Sequence, residues 1–248
     1  MADRYFVDTP IQGDHAQLRG AEAHHLAHVM RASAGEELVL FDGSGVEFTA
    51  RIERVGRADI ELTIVSRSAV DRESPVGITL GVAWPKGDRQ RWLVEKAVEL
   101  GVARLVPLVT ERGDARQSEA GLDRLRRAVI EASKQCGRNR LMRIDLPQSL
   151  ADFLASTSSG WHWIAHPGGP SCRRLLAELP LGERLPETVA LAIGPEGGFT
   201  EGEIKRAATS GWRVVGLGPR ILRVETAAIA LAANVMLHVE ENTPPMPV

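Results

Sequence analysis

Cysteine is scarce in this sequence, with only Cys136 and Cys172 among 248 residues. Two cysteines cannot build the disulfide framework of a small secreted protein, and these two lack the spacing of a zinc site. His24 and His28 lie one helical turn apart, but no third ligand accompanies them in the sequence. We therefore expect a protein of the reducing cytoplasm that holds no metal.

Long apolar stretches are also missing. The first residues, Met1–Phe6, lack the apolar core of a signal peptide, and the longest apolar stretch, near 227–237, is too short to span a bilayer. No association with a membrane is expected.

The sequence has no overall excess of positive charge, since its formal net charge is −2. A dedicated nucleic-acid binder often carries a large basic excess, which is absent here. One short span is nevertheless rich in basic residues: Arg124, Arg126, Arg127, Lys134, Arg138, Arg140 and Arg143. The first three fit a solvated helix face as well as a phosphate-binding patch, whereas the arginines of the following loop favour phosphate contacts.

Several common catalytic motifs do not occur. The sequence contains no G-x-x-x-x-G-K-[ST], no G-x-G-x-x-G after the first strand of an α/β pattern, and no G-x-S-x-G. These absences disfavour phosphate transfer on a P-loop and ester hydrolysis by a serine nucleophile.

The pattern of apolar residues divides the chain into two parts. Residues 1–70 alternate with a period of two, as in Phe48–Ile52, which predicts a small β-rich domain. One helix is predicted within it, over Ala21–Arg31, with Leu26, Val29 and Met30 facing inward. After a charged linker at 71–75, residues 75–240 alternate strands with helices, which predicts an α/β domain with a mostly parallel sheet covered on both faces. Residues 241–248, with three prolines, are expected to be a flexible tail.

Two glycine-proline segments each follow an apolar strand, namely Ile193–Thr200 and Leu217–Arg223. In an open α/β sheet, ligands bind beyond the carboxyl ends of the strands. Glycine lets the backbone approach a ligand closely, and proline restricts the loop. The pattern fits a cradle for a small molecule, although a tight turn that needs glycine would look the same.

The segment Gly194–Thr200 taken together with Leu217–Ala227 closely resembles the signature of the 16S ribosomal RNA uridine-N3 methyltransferase family, a branch of the SPOUT class of RNA methyltransferases. Further matches extend along nearly the whole chain: Arg4-Tyr5-Phe6, His28-Val29-Met30-Arg31, Lys86, Glu95-Lys96, Glu99–Val102, Glu111-Arg112, Glu131-Ala132, Gln135-Cys136 and Arg138. The sequence departs from the family pattern at Gly113, where serine is usual, at Asn139, since a proline usually follows Arg138 closely, and at Val224, where threonine is familiar.

This resemblance implies a PUA-like β-barrel over residues 1–70 that binds RNA. It also implies a SPOUT α/β domain over 75–240 with a trefoil knot, which forms a homodimer. The implied activity is methylation of N3 of a specific uridine in 16S rRNA, within the 30S subunit, with S-adenosylmethionine as the cofactor. Two alternatives stay open: another SPOUT methyltransferase acting on a different base or a ribose, and a non-catalytic RNA-binding dimer.

The resemblance also implies site residues. Three loops would hold the cofactor, through His166, Pro167, Gly168, Gly194, Pro195, Glu196, Gly197, Gly198, Leu217, Gly218, Ile221 and Leu222. Arg220 or Arg223 would stabilise the uracil anion that forms when N3 loses its proton, because arginine stays protonated and cannot act as a base. Glu196 and Glu225 are candidate proton acceptors. Glu196 could instead brace its loop, and Glu225 could be a carboxylate at a helix N-terminus.

RNA contacts are expected from basic side chains along the chain. The candidates are Arg4, Arg31, Lys86, Arg112, Arg138 and Arg140. His24 and His28 are interpreted as structural or as facing RNA.

Overall fold

The computed structural model describes residues 3–113, 119–156, 160–178 and 185–243. They form two compact units: an N-terminal unit of Met1–Glu73 with Ile130–Leu141, and a C-terminal unit of Ser74–Val129 with Met142–Val248. The division falls inside one helix, Glu119–Cys136. The inclusion of 130–141 in the N-terminal unit differs from the domain boundaries expected above, because one uninterrupted helical pattern gives no sign that its two halves belong to different units.

The N-terminal unit contains a five-stranded sheet. Its strands are β1 (Arg4–Phe6), β2 (His15–Arg19), β3 (Glu37–Phe41), β4 (Glu47–Val55) and β5 (Asp59–Ser68). They lie in the order β1-β3-β4-β5-β2. Only β1 and β3 run parallel among the recorded pairs. Alternate residues such as Ala50, Ile52, Ile60 and Leu62 are buried in one core, which confirms the strands expected from the period of two.

The helix after β2 is shorter and less regular than the sequence suggested. An α-helical turn, α1 (Gly20–His24), continues as a π-helical segment, His25–Val29. In this segment the Met30 amide donates to the His25 carbonyl at 3.0 Å. The wider turn rotates the following residues away from the core. Leu26 is buried as expected, but Val29 and Met30 are 61% and 45% exposed, so their assignment to the inward face was wrong.

The C-terminal unit is built on a sheet of seven strands. These are β6 (Gly77–Ala83), β7 (Val102–Val109), β8 (Arg143–Ile144), β9 (Gln148–Ser149), β10 (Trp161–Ala165), β11 (Thr188–Ile193) and β12 (Arg213–Val215). The order is β12-β10-β11-β6-β7-β8, and β9 also pairs with β7. Every recorded pair is parallel. The α/β class with a parallel sheet is therefore confirmed.

Helices cover this sheet on both faces. The helices after β6 are α2 (Arg89–Glu99), α3 (Glu119–Cys136), α4 (Leu150–Ser156), α5 (Cys172–Ala177), α6 (Glu201–Thr209) and α7 (Val224–Glu241), of which α3 is divided between the two units. Ala190 and Ala192 of β11 share a core with residues of α4 and α6. The alternate residues of β11 are buried too and face the other side, where α7 packs on β6 and β11 and also on α2.

Two details of the helices differ from the expectations. The apolar residues of α2 predict a buried side that holds Trp92, Leu93, Val94, Ala97 and Val98. The last four are fully buried, but Trp92 is 42% exposed, so its assignment to that side was wrong. Helix α7 continues to Glu241, into the stretch expected to be a tail. Residues 244–248 of that tail lie outside the described residues. No helix in the described ranges is both long and apolar enough to cross a bilayer.

Candidate functional site

Three loops meet because the strands before them are neighbours. Strands β12, β10 and β11 lie side by side and parallel, so their carboxyl ends share one edge of the sheet. The loops that leave this edge enclose a pocket of about 300 Å³. The residues that line it are Arg112, Ala165, His166, Pro167, Ile193, Gly194, Pro195, Glu196, Gly197, Gly198, Phe199, Leu217, Gly218, Arg220, Ile221, Leu222, Val224 and Ala227.

Of the twelve residues expected to hold a cofactor, only Gly168 is outside this lining. Arg220 and Arg112 also line the pocket, whereas Arg223 and Glu225 do not. The sequence did not single out Ala165, Val224 and Ala227 as contacts, nor Ile193 and Phe199 individually, although these two lie in the segment Ile193–Thr200 predicted to form a cradle. Ala165 and Ile193 end the strands β10 and β11, so the last residue of each strand was a signal that could have found them.

The first loop, which follows β10, and the third loop, which follows β12, are joined by main-chain hydrogen bonds. The His166 amide donates to Val215 at 2.9 Å, and the Gly216 amide donates to Pro170 at 2.8 Å. The two backbones are so close that a Cβ atom on Gly216 would lie 2.3 Å from the carbonyl oxygen of Gly169. Glycine at 216 is therefore required by a backbone crossing rather than by a turn.

The middle loop, which follows β11, is a tight turn that a side chain from another loop also contacts. The Gly198 amide donates to the Pro195 carbonyl at 2.8 Å, and Gly198 adopts a left-handed φ of 67°. Arg112 donates from Nη1 to the Gly197 carbonyl at 2.8 Å. A Cβ on Gly113 would approach Pro195 to 3.0 Å, so the chain at Gly113 packs closely against this loop.

Thr200 and Glu203, three residues apart, predict a capping box, and helix α6, which follows the middle loop, begins with it. Thr200 accepts from the Glu203 amide, and Glu203 accepts from the Thr200 amide at 2.8 Å. Glu203 also accepts from the Glu111 amide at 2.9 Å and is only 2% exposed. One buried carboxylate therefore anchors both α6 and the loop that carries Arg112.

We expect Glu203→Ala to lower the free energy of unfolding by about 2 to 4 kcal/mol, because a helix cap is lost and two partly buried backbone amides, of Thr200 and Glu111, lose their acceptor. Urea denaturation of the purified protein measures this change. Glu201→Ala, at an exposed position of the same helical turn, is the matched control and should change stability by less than about 0.5 kcal/mol. Equal losses from the two substitutions would contradict the role of Glu203.

Glu225 and Glu196 have different surroundings. Glu225 lies in the first turn of α7 and is 6% exposed, and its Oε2 has no hydrogen-bond partner. Glu196 lines the pocket, and 53% of its side chain is exposed. Arg89, which the sequence reasoning did not single out, lies 3.5 Å from Glu196 and 3.7 Å from Glu225. Its position at the start of a helix after a strand end was the signal that could have found it.

The remaining polar groups around the pocket are open to a ligand. Arg220 and Arg223 are exposed, and neither makes a recorded ion pair or side-chain hydrogen bond within the described residues. His166 lines the pocket, and its Nδ1 is buried without a hydrogen-bond partner.

Burial raises the pKa of the Cys172 thiol, just after the first loop, to about 11, so this cysteine is not a thiolate nucleophile at neutral pH.

The residues expected to contact RNA fall into two groups. Lys86 of the C-terminal unit is exposed, as are Arg31 and Arg140 of the N-terminal unit. Arg31 has a left-handed φ of 56°, which is uncommon for a residue with a side chain. Arg112 lies at the pocket, as described above.

Arg4 and Arg138 differ from these because their guanidinium groups are buried. Arg4 pairs with Glu47 and donates to Asn139 Oδ1 at 2.6 Å, and Arg138 pairs with Glu73. Burial raises the pKa of the Glu47 carboxyl, but Arg72 and Arg4 outweigh this effect, so the net pKa is below its ordinary value. A guanidinium group that is buried and paired is not available to a phosphate. Arg4 and Arg138 are therefore not among the RNA contacts that we propose.

Within the described residues, no group of three or more His, Cys, Asp or Glu side chains is placed to hold a metal ion. The pocket is instead formed by main chain, apolar side chains and a few polar groups. Such a lining suits an organic ligand of nucleoside size better than a metal or a free phosphate.

Comparison with known proteins is consistent with this geometry. A sequence model described as the RNA methyltransferase domain matches residues 72–236, and one described as the RNA methyltransferase PUA domain matches residues 18–65. The chain belongs to this RNA methyltransferase family. Its N-terminal domain is accordingly PUA-like and its C-terminal domain is the methyltransferase domain of the family, as the resemblance implied.

Relatives of this family member match it over most of their length. It is 28% identical to ribosomal RNA small subunit methyltransferase E of Bacillus subtilis, with 93% of this chain and 94% of the relative covered. It is 31% identical to the protein of that name from Synechocystis, with 87% and 71% covered.

Two similar solved structures contain S-adenosylmethionine. One is ribosomal RNA small subunit methyltransferase E of Neisseria gonorrhoeae, with 30% identity, a TM-score of 0.84, and 98% of this chain and 100% of that chain covered. The other is a methyltransferase of Legionella pneumophila, with 34% identity, a TM-score of 0.84, and 97% and 98% covered.

Proposed function

We propose that this protein is an S-adenosylmethionine-dependent methyltransferase that modifies N3 of a uridine in 16S ribosomal RNA. The observation that carries the proposal is the pocket formed by the loops after β10, β11 and β12, in a chain that belongs to the RNA methyltransferase family. The relatives named for the small ribosomal subunit support the choice of RNA. The resemblance of Gly194–Thr200 and Leu217–Ala227 to the uridine-N3 branch supports the choice of atom.

The residues of the pocket fit the cofactor. Ile193, Leu217, Leu222 and Ala227 offer apolar contacts to an adenine ring, and the glycines leave main-chain groups accessible. The buried Nδ1 of His166 lacks a partner and would gain one from a polar group of the ligand. When bound, S-adenosylmethionine supplies an electrophilic methyl group.

The protein's own contribution is to orient the base and to manage one proton. Uracil N3 carries a weakly acidic proton that must leave before the nitrogen can attack. Arg220 lies in the third loop, Arg223 lies just before α7, and both are exposed. We propose that they stabilise the uracil anion that results. Glu196 is the better candidate for the proton acceptor because it lines the pocket, whereas Glu225 is buried at the start of α7. Glu225 then has the role of a carboxylate at a helix N-terminus.

RNA binding is proposed to involve Arg31, Lys86, Arg112 and Arg140. N3 is on the pairing edge of uracil, so the target base must be unpaired or splayed out when it is modified. Because these four side chains would contact phosphates, binding should weaken as the salt concentration rises.

The assembly is also a proposal. We propose a cytoplasmic homodimer with a trefoil knot that acts on the assembled 30S subunit. The exposed apolar side chains of Trp92 and Leu237, on the helices α2 and α7 that pack together, support an interface between copies. The close crossing of Gly169 and Gly216 supports a threaded backbone in this region.

Mass spectrometry of 16S rRNA from a strain that lacks the gene tests the proposal. N3-methyluridine should disappear and return when the gene is supplied. If N3-methyluridine persists and a different base or ribose mark is lost, another RNA methyltransferase activity is correct. If no mark is lost and calorimetry shows no binding of S-adenosylmethionine, the protein is a non-catalytic RNA-binding module.

A further inference from the structure

Arg89 lies between two carboxylates, one on the pocket lining and one at the start of α7. Its Nη1 is 3.5 Å from Oε1 of Glu196 and 3.7 Å from Oε2 of Glu225. Glu196 is part of the middle loop, and Glu225 lies in the first turn of α7, directly after the third loop. One guanidinium group therefore interacts with both segments.

The backbone that carries Arg89 is itself fixed. The side chain of Gln90 donates to the Pro85 carbonyl at 2.8 Å, and Nε of Arg89 donates to the Lys86 carbonyl at 3.3 Å. Helix α2 packs on both α7 and β7. The guanidinium group is therefore presented from the first turn of a packed helix to the middle loop and to the start of α7.

The two ion pairs differ in strength. The pair with Glu196 is half exposed and would by itself contribute little. The side chain of Glu225 is only 8% exposed, and its Oε2 has no hydrogen bond. Without Arg89, the buried carboxylate of Glu225 would lose the positive charge of the guanidinium group and would repel Glu196. The start of α7 and the middle loop would then move apart.

We propose that Arg89 is a positioning residue that holds the middle loop and the start of α7 at the separation that the ligand pocket requires. The inference rests on the proposed function for the identity of the ligand. It adds a task for a side chain that is not among those lining the pocket.

Calorimetric titration with S-adenosylmethionine tests the inference. Arg89→Met should raise the dissociation constant by at least about tenfold, because the buried carboxylate loses its partner. Arg89→Lys keeps the charge and should restore part of the affinity. Arg91→Met removes an exposed arginine of the same helix, one that pairs with Glu95, and should leave the affinity unchanged.

A double substitution separates positioning from packing. If Arg89 acts by neutralising Glu225, then Arg89→Met combined with Glu225→Gln should bind the cofactor more tightly than Arg89→Met alone. Affinity in the double variant that is equal to or weaker than in Arg89→Met would overturn the inference, as would unchanged affinity in Arg89→Met. If Arg89→Met does not fold, the comparison of Arg89→Gln, which also removes the charge, with and without Glu225→Gln decides in the same way.

The failure of this inference differs from the failure of the proposed function. A wild-type protein that gives no heat with S-adenosylmethionine refutes the cofactor and the present inference with it. A wild-type protein that binds the cofactor, together with an Arg89→Met variant that binds it equally well, refutes only the role of Arg89.

Discussion

Replacement of Arg223 by alanine is expected to lower kcat by about 100- to 1,000-fold, which is the usual effect of removing one group that stabilises developing charge. Arg223 precedes α7 as its N-cap residue, and its exposed side chain makes no cap hydrogen bond. Its guanidinium group does not line the pocket. The dissociation constant of S-adenosylmethionine should therefore stay within about threefold of the wild-type value, since only a transition-state interaction is removed.

Single-turnover kinetics on 30S subunits, together with calorimetric titration of the cofactor, measure the two quantities. Arg206→Ala is the matched control, because Arg206 is also an exposed arginine, on α6, and does not line the pocket. It should change neither quantity. Equal losses of turnover and of cofactor affinity in Arg223→Ala would show that Arg223 shapes the third loop instead. The same pair of measurements on Arg220→Ala, a residue that does line the pocket, decides which arginine serves the base.

The second large effect is expected at Gly216. A Cβ atom there would lie 2.3 Å from the carbonyl oxygen of Gly169, and main chain cannot move aside as a flexible side chain can. Gly216→Ala must push apart the first and third loops, which are joined by hydrogen bonds. We expect this to lower the free energy of unfolding by about 3 kcal/mol. We expect Tm to fall by about 6 to 12 °C. The affinity for S-adenosylmethionine should fall by more than about tenfold, because Leu217 and Gly218 follow directly and the pocket loses its preformed shape.

Differential scanning calorimetry with and without the cofactor measures both effects. Gly202→Ala is the matched control, because the new Cβ would meet only Thr200 Oγ1, at an ordinary distance of 3.7 Å. Gly202 lies in α6, so its replacement should leave Tm unchanged or raise it slightly. A normal Tm and normal cofactor binding in Gly216→Ala would refute the close crossing of the first and third loops.

The local pattern of the sequence was sufficient to predict those helices and strands whose apolar residues recur regularly. The period of two predicted β4 and β5, and continuous apolar runs predicted β6 and β11, since these patterns follow from how side chains alternate on a strand. Thr200 and Glu203 predicted the start of α6 because a capping box depends on residues only three apart. Short elements such as β8, β9 and α5 were missed, because two to six residues carry too little periodicity.

Interactions between distant parts of the chain could not be predicted from such local patterns. The second acceptor role of Glu203 involves the Glu111 amide, 92 residues away. The two carboxylates near Arg89 lie more than a hundred residues further along the chain. The π-helical segment His25–Val29 left Val29 and Met30 exposed, since a regular α-helical period does not apply there.

The sequence by itself determined the α/β class, the glycine-proline loops and the resemblance to an RNA methyltransferase family, because these are encoded in local residue types and spacing. Only the tertiary structure decided which loops share a pocket. That depends on the order β12-β10-β11, in which strands separated by many residues become neighbours. It also decided that Gly216 serves a backbone crossing and that Glu196 and Glu225 share one arginine, because both features arise from contacts between segments that no local pattern connects.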